Sequence, residues 1–138
     1  GWRCDVVFVL GSELSPLAET NRRRLLNLAG ISFIGVQALP AQLAQQRYDV
    51  LIEGIFGTGF AGRLPAAVAA CCRLLNASDG LKVALDMPTG LNGDTGDVDA
   101  DVFRAELTYT FGAYKPAHLM DAGRAVCGEI VCLAIGIQ

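Results

Sequence analysis

The segment Asp49-Val50-Leu51-Ile52-Glu53-Gly54-Ile55-Phe56-Gly57-Thr58-Gly59-Phe60-Ala61-Gly62-Arg63 runs from an apolar stretch straight into a glycine-rich loop. Asp49–Phe56 reads as a strand that runs into this loop. Beyond the loop, Leu64–Ala77 reads as a helix, because Leu64, Val68, Cys71, Cys72 and Leu75 recur at helical spacing. Strand, glycine loop and helix make one βα unit. Glycines in G-x-G-x-x-G order let the backbone turn tightly, so amides and the helix N-terminus can face a phosphate, and Arg63 can add a bidentate contact. The same glycines also serve ordinary strand-to-helix turns, so the loop alone leaves both readings open.

Outward from this unit the alternation continues. Upstream, Asp5–Leu10 is a continuous apolar run, as expected of a strand covered on both faces, and Ser15-Pro16 supplies a cap and a first-turn proline for a helix closed by Gly30. Leu14, Ala18, Leu25, Leu28 and Ala29 share one face of that helix. Ile31–Ala38 reads as a second strand and Pro40–Gln46 as a short helix. Downstream, Lys82–Asp86, Glu106–Phe111 and Glu129–Ala134 read as strands, the last two separated by a helical turn or short helix. This alternation predicts an α/β fold, a Rossmann-like three-layer αβα sandwich with a mostly parallel sheet. No repeat, low-complexity tract or linker interrupts it, so residues 1–138 form a single domain.

Composition narrows the function classes. A 52% hydrophobic content and a mean hydropathy of +0.40 exclude a disordered chain. A net charge of −3 and a pI near 5.0 give no electrostatic case for nucleic acid or membrane surfaces. The basic run Arg22-Arg23-Arg24 reads as a solvated helix face. No apolar stretch reaches transmembrane length, and the start has no signal-peptide pattern. Five cysteines without CxxC spacing argue against a disulfide framework and for a reducing cytoplasm. His118, the sole histidine, has no cysteines at zinc spacing.

Two further segments carry candidate chemistry. In Leu85-Asp86-Met87-Pro88-Thr89-Gly90-Leu91-Asn92-Gly93-Asp94-Thr95-Gly96, Asp86 closes an apolar strand. Its carboxylate is placed to project into the crevice beyond the strand ends, the usual ligand site of open α/β sheets, or else to cap the turn that Pro88 and Gly90 make. Asp94 and Asp97 read as turn residues. In Thr110-Phe111-Gly112-Ala113-Tyr114-Lys115-Pro116, Lys115 follows a strand end and faces either a ligand or solvent.

Together, Ile55–Phe60, Asp86–Leu91, Thr110–Pro116 and the ending Gly128–Gly136 resemble the NAD(P)H-hydrate epimerase family, also called the YjeF N-terminal domain family, in order and spacing. That family interconverts the R and S forms of NADH and NADPH hydrated on the nicotinamide ring. The resemblance implies that Gly57, Thr58, Gly59, Phe60, Ala61, Gly62, Arg63 and Lys115 bind the damaged nucleotide. It implies that Asp86 contacts the substrate at the reacting carbon and exchanges protons there, as its catalytic residue. Thr89 stands where the family has a serine ligand for a potassium ion, and Glu53 where it has an aspartate ligand. The family's leading helices, first strand and Asn- and Gly-rich loop have no counterpart in the 138 residues, so the resemblance implies a domain incomplete at its N-terminus.

It further implies a homodimer and an ADP- or ATP-dependent dehydratase partner, either separate or fused. The competing class is a non-catalytic nucleotide- or RNA-binding dimerisation module, as in the similar domain of enhancer-of-decapping proteins. Asp86, Thr89 and Lys115 favour the enzyme, while the missing Asn- and Gly-rich loop favours the binding module.

Overall fold

The computed structural model describes residues 1–11 and 13–136. Helices connect successive strands everywhere except between the fourth and fifth of the six strands described, and every strand pairing is parallel, the Rossmann-like α/β class that the alternation predicts. The chain divides into two compact units, Gly1–Gln46 and Arg47–Gln138. Rather than one sheet, it carries a two-stranded sheet in the first unit and a four-stranded sheet in the second.

In the first unit, β1 (Cys4–Val7) pairs with β2 (Ile31–Ile34), and α1 (Pro16–Leu26) connects them. Ser15 caps α1 as expected, its hydroxyl accepting from the Ala18 N–H at 3.3 Å, with Pro16 in the first turn. The helix stops at Leu26 instead of continuing to Gly30. The expected apolar face is therefore cut short: Leu14, Ala18 and Leu25 are half-buried, but Leu28 and Ala29 are exposed. Arg22 and Arg23 of the basic run bind Glu19 at 2.8 and 2.9 Å. β2 also ends early, because Val36–Ala38 tighten into a 3-10 turn that leads into α2 (Leu39–Gln45).

The second unit holds β3 (Val50–Glu53), α3 (Ala66–Ala77), β4 (Leu81–Leu85), β5 (Leu107–Phe111), α4 (Pro116–Leu119), α5 (Asp121–Cys127) and β6 (Glu129–Leu133). Its sheet runs β3-β4-β5-β6. In the register Glu53 pairs with Ala84, and Thr110 with Cys132, so the strands' polar C-terminal ends lie together at one end of the sheet. Alternation separates the faces. Leu51, Glu53, Ala84, Thr108 and Thr110 are buried, whereas Val50, Ile52, Leu81, Leu85 and Leu133 are exposed. β3 thus buries one face only. The reading of Asp5–Leu10 as a strand covered on both faces is corrected: Asp5–Val9 are half-buried and Leu10 is exposed.

Two boundaries shift for local reasons. β3 ends at Glu53 because the next amides are taken by side chains: Ile55 N–H donates to the Glu53 carboxylate and Phe56 N–H to the Thr89 hydroxyl. α3 begins at Ala66, not Leu64, since Pro65 caps it and the Leu64 N–H donates to Asp99 at 3.0 Å. Val68 and Cys72 are fully buried on α3, and a side chain such as Val68 contributes about 1.5–3 kcal/mol by burial. Asn76 ties the helix to the segment after the acidic turn, donating to the Val102 carbonyl and accepting from the Arg104 N–H. A core of Met87, Leu91, Val102, Ala117, Val126 and Cys127, with Ile130 against it, seats that turn on α4 and α5.

Candidate active site

Asp86 follows the last residue of β4 and carries the one positive φ, +68°, of any non-glycine among the described residues. Its N–H donates to the Tyr109 carbonyl at 2.7 Å, while the Met87 N–H donates back to Leu85 at 2.9 Å. This closes a γ-turn around Asp86, a rare and strained conformation for an L-residue. Strain of about 1–3 kcal/mol held at one carboxylate, in a turn otherwise made by Pro88 and Gly90, points to function. Gly90 is obligatory there in its own right: at φ +100° an added Cβ meets the Val102 Cα at 2.9 Å.

The carboxylate is held on one side. Its Oδ1 accepts from the Lys115 ammonium, from the Phe111 N–H at 3.2 Å and from the Thr110 hydroxyl at 3.3 Å. Lys115 also donates to Thr110 Oγ1 at 2.8 Å and to the Phe111 carbonyl at 3.0 Å. Burial pushes Asp86 up, but the Lys115 ammonium, the Phe111 N–H and the Thr110 hydroxyl together hold it below the ordinary carboxylate value. Asp86 is therefore ionised at neutral pH. Oδ2 points toward the glycine loop, where a Cβ on Gly57 would stand 3.3 Å from it. The two sequence-predicted segments and the start of the glycine loop thus meet at one point. Neither solvent-facing Lys115 nor turn-capping Asp86 describes what is found.

The loop has an anchored and an open part. Phe60 is buried and stacks on Phe56, ring centroids 5.8 Å apart, and its N–H donates to the Gly57 carbonyl at 3.3 Å. Phe60 therefore secures the loop instead of presenting a side chain or amide to a ligand. Thr58, Gly59, Ala61, Gly62 and Arg63 are exposed, and their N–H groups meet no acceptor among the described residues. A Cβ on Gly59 or Gly62 would face open space. Arg63 forms no ion pair among the described residues, although its charge helps hold Asp99 below the ordinary carboxylate range.

Glu53 and Thr89 form a second, buried pair beneath the loop. Glu53 accepts from the Thr89 N–H at 2.9 Å and the Thr89 hydroxyl at 2.7 Å, and the Thr89 hydroxyl accepts from Phe56. The extra methylene of Glu53 gives it the reach to clasp Thr89 directly. Burial raises the Glu53 carboxyl above its ordinary value, against the lowering effect of these bonds.

Three participants escaped the reading of the sequence: Thr110, the Phe111 backbone and His118. Thr110 left a usable signal, since it alternates with apolar residues just before Phe-Gly. The Phe111 amide and His118 left none.

The model of the family described as YjeF-related protein N-terminus matches residues 1–117. Over 131 residues the chain is 42% identical to a bifunctional NAD(P)H-hydrate repair enzyme of Archaeoglobus fulgidus, covering 95% of this chain and 26% of that protein. A similarly named enzyme of Pyrobaculum aerophilum is 35% identical over 95% of this chain and 27% of its own length. An NAD(P)H-hydrate epimerase of Rhodopirellula baltica is 37% identical over 64% of this chain and 36% of its own length. The chain spans about a quarter of the length of the bifunctional relatives.

Proposed function

We propose that this chain, which belongs to the YjeF-related protein N-terminus family, is an NAD(P)H-hydrate epimerase, an isomerase that interconverts the R and S forms of hydrated NADH and NADPH. The observation that carries this reading is the strained Asp86 turn, with its ionised carboxylate paired to Lys115 and open toward Gly57.

Epimerisation inverts one hydroxyl-bearing ring carbon. The carbon–oxygen bond breaks as the ring nitrogen's lone pair forms a C=N bond. The departing hydroxyl takes a proton and leaves as water, and a water returns on the opposite face and gives a proton up. Protons balance, and no redox partner is needed. The ring is cationic between the two steps, so an ionised carboxylate at its side stabilises it, and the same carboxylate accepts the proton of the returning water. The Lys115 ammonium beside it is the acid for the departing hydroxyl, and the proton that Asp86 takes from the returning water passes back to Lys115 across their hydrogen bond, so both groups end as they began. In this scheme Asp86 keeps its catalytic role, but as base and counter-charge, with the acid next to it. The open amides of Thr58–Arg63 hold the nucleotide phosphates, with Arg63 at the exposed side.

Glu53 and Thr89 suit potassium by chemistry. Both offer hard oxygen donors, and Glu53 is a buried carboxylate that no cationic side chain approaches among the described residues. When bound, the cation supplies charge compensation for Glu53 and ties the glycine loop to the acidic turn. Two bifunctional relatives support a dehydratase as functional partner. A homodimer and a cytoplasmic setting, in keeping with five free thiols, belong to the same proposal. No helix among the described residues is long and apolar enough to cross a membrane.

The test is direct. Purified S-form NADPH hydrate is incubated with the protein and the two diastereomers are separated over time. Interconversion faster than the spontaneous rate is expected. A folded protein that leaves the spontaneous rate unchanged would sink the reading.

A further inference from the structure

His118 lies on α4, buried to 2% exposure, with the Tyr114 ring edge-on at 6.2 Å. Its Nδ1 accepts from the Lys115 backbone N–H at 3.1 Å, while its own N–H donates to the Lys115 carbonyl at 3.0 Å. Ring and backbone together clamp the residue whose ammonium holds Asp86. Because Nδ1 is an acceptor, the neutral ring must carry its proton on Nε2. That Nε2 is fully buried and has no hydrogen-bond partner among the described residues.

An unmatched buried donor costs about 1–3 kcal/mol, so it calls for an explanation. The Asp86 backbone carbonyl bears on this ring in the sense that favours its proton. It is not in bonding geometry. It belongs to the strained peptide that follows the positive-φ residue. Active-site hydrogen bonds of this kind are commonly long without substrate and tighten in the complex.

We propose that His118 is the positioning residue of the site, one ring that fixes Lys115 through Nδ1 and closes through Nε2–H on the Asp86 carbonyl when nucleotide binds. Asp86 and Lys115 lie 29 residues apart in sequence, and His118 links the backbones of both. This rests on the reading of Asp86 and Lys115 as the epimerase pair. It adds that their relative placement is set by a third side chain that never touches substrate.

Three variants separate the two bonds. Asn in H118N places an acceptor where Nδ1 was. Gln in H118Q places a donor near Nε2. Leu in H118L supplies neither. H118L is expected to lose about tenfold or more in kcat, the scale of a misplaced catalytic group, with KM and calorimetric affinity for NADP+ within about twofold. H118N and H118Q should each recover part of the loss. Unchanged kcat in folded H118L overturns the proposal. So does a loss of kcat matched by an equal loss of NADP+ affinity, or one that neither conservative variant reduces.

A readout without turnover guards against misfolding and against failure of the epimerase reading itself. Nitrogen-15 NMR of the wild-type ring should show the Nε2–H tautomer, with the Nε2 proton shifting when NADP+ is added. The opposite tautomer, or an Nε2 proton indifferent to bound nucleotide, overturns the positioning role whether or not the protein epimerises. The expected NMR result without epimerisation would leave His118 in place and remove only the activity.

Discussion

At the scale of single residues, the ionised Asp86 and the buried Glu53 respond oppositely to pH. Asp86 has a folded-state value below its ordinary one, so its contribution to stability is present above the ordinary carboxylate range and lost as pH falls through the depressed value. Glu53 has a raised value, so its contribution is greatest at acid pH and lost as pH rises through that value. Asp86→Asn keeps the size of the side chain and suits the positive φ. It is expected to cut epimerisation by about 10²-fold while nucleotide affinity stays close to wild type, with a lower Tm at neutral pH because the Lys115 pair is lost. Near-normal turnover in that variant would demote Asp86 to a turn residue. For Glu53, a bound cation removes the uncompensated charge. Potassium at ten times its Kd should therefore stabilise the protein by about 1.4 kcal/mol, seen as a rise in Tm over choline chloride at equal ionic strength. Glu53→Gln should abolish that difference, and an equal rise in both proteins would remove Glu53 from the cation site. Asp86 and Lys115 were singled out from the segments that contain them, and Glu53 and Thr89 only through the family resemblance. Their partnerships were not legible. Glu53 and Thr89 are 36 residues apart, and no local pattern encodes a distance across two strands or the backbone strain at Asp86.

At the scale of elements, the sequence located all six strands and the longer helices, because apolar runs and caps are local signals. Several boundaries were legible as well, among them the start of α1 at Ser15-Pro16, the end of α3 at Ala77, the end of β5 at Phe111 and the start of β6 at Glu129. Elsewhere distant side chains captured the amides that would have continued an element: Thr89 took Phe56 from the β3 end, and Asp99 took Leu64 from the α3 start. The glycine loop was legible as a loop, but which glycines face a ligand depends on the fold. A Cβ on Gly57 crowds the Asp86 carboxylate, whereas one on Gly59 meets nothing within 4 Å. Gly59→Val is therefore the clean probe. It should leave the fold and the Asp86–Lys115 pair intact yet obstruct an approaching pyrophosphate, weakening NADP+ binding more than tenfold, or about 1.4 kcal/mol. Unaltered affinity by calorimetry would exclude the loop as the phosphate site. On α1, the guanidinium groups of Arg22 and Arg23 hold Glu19 down to about 2 from 4.5. The stability this lends is present above the ordinary value and lost as pH falls through about 2. Glu19→Gln should remove that acid dependence from the far-ultraviolet circular dichroism signal of α1. The wild-type dependence should shrink in high salt, because all three side chains reach solvent.

At the scale of the whole molecule, the sheet of the second unit ends on β3. In a doubly wound sheet the first strand normally lies in the middle, beside the crevice where ligands bind. Among the described residues of the second unit β3 is the outer strand of its sheet, with one row of backbone N–H and C=O groups that no strand of that unit pairs, and on its open face Ile52 is 62% exposed and Val50 38%. A free edge with apolar side chains is a template for pairing with another chain. The same strand ends at Glu53, so whatever pairs there bears directly on the buried Glu53–Thr89 clasp and the loop it supports. The expected result in light scattering is a mass at or above twice 14.6 kDa, dependent on concentration. Ile52→Lys should shift that mass toward the monomer, because a lysine at a sheet edge opposes strand addition. It should do so without unfolding the unit, since residue 52 lies on the face opposite Glu53 and the α3 core. Epimerase activity should fall with the loss of association, through a loosened Glu53–Thr89 clasp. A monomeric wild-type chain with full activity would show that the β3 edge needs no partner, and that the site is complete on four strands alone.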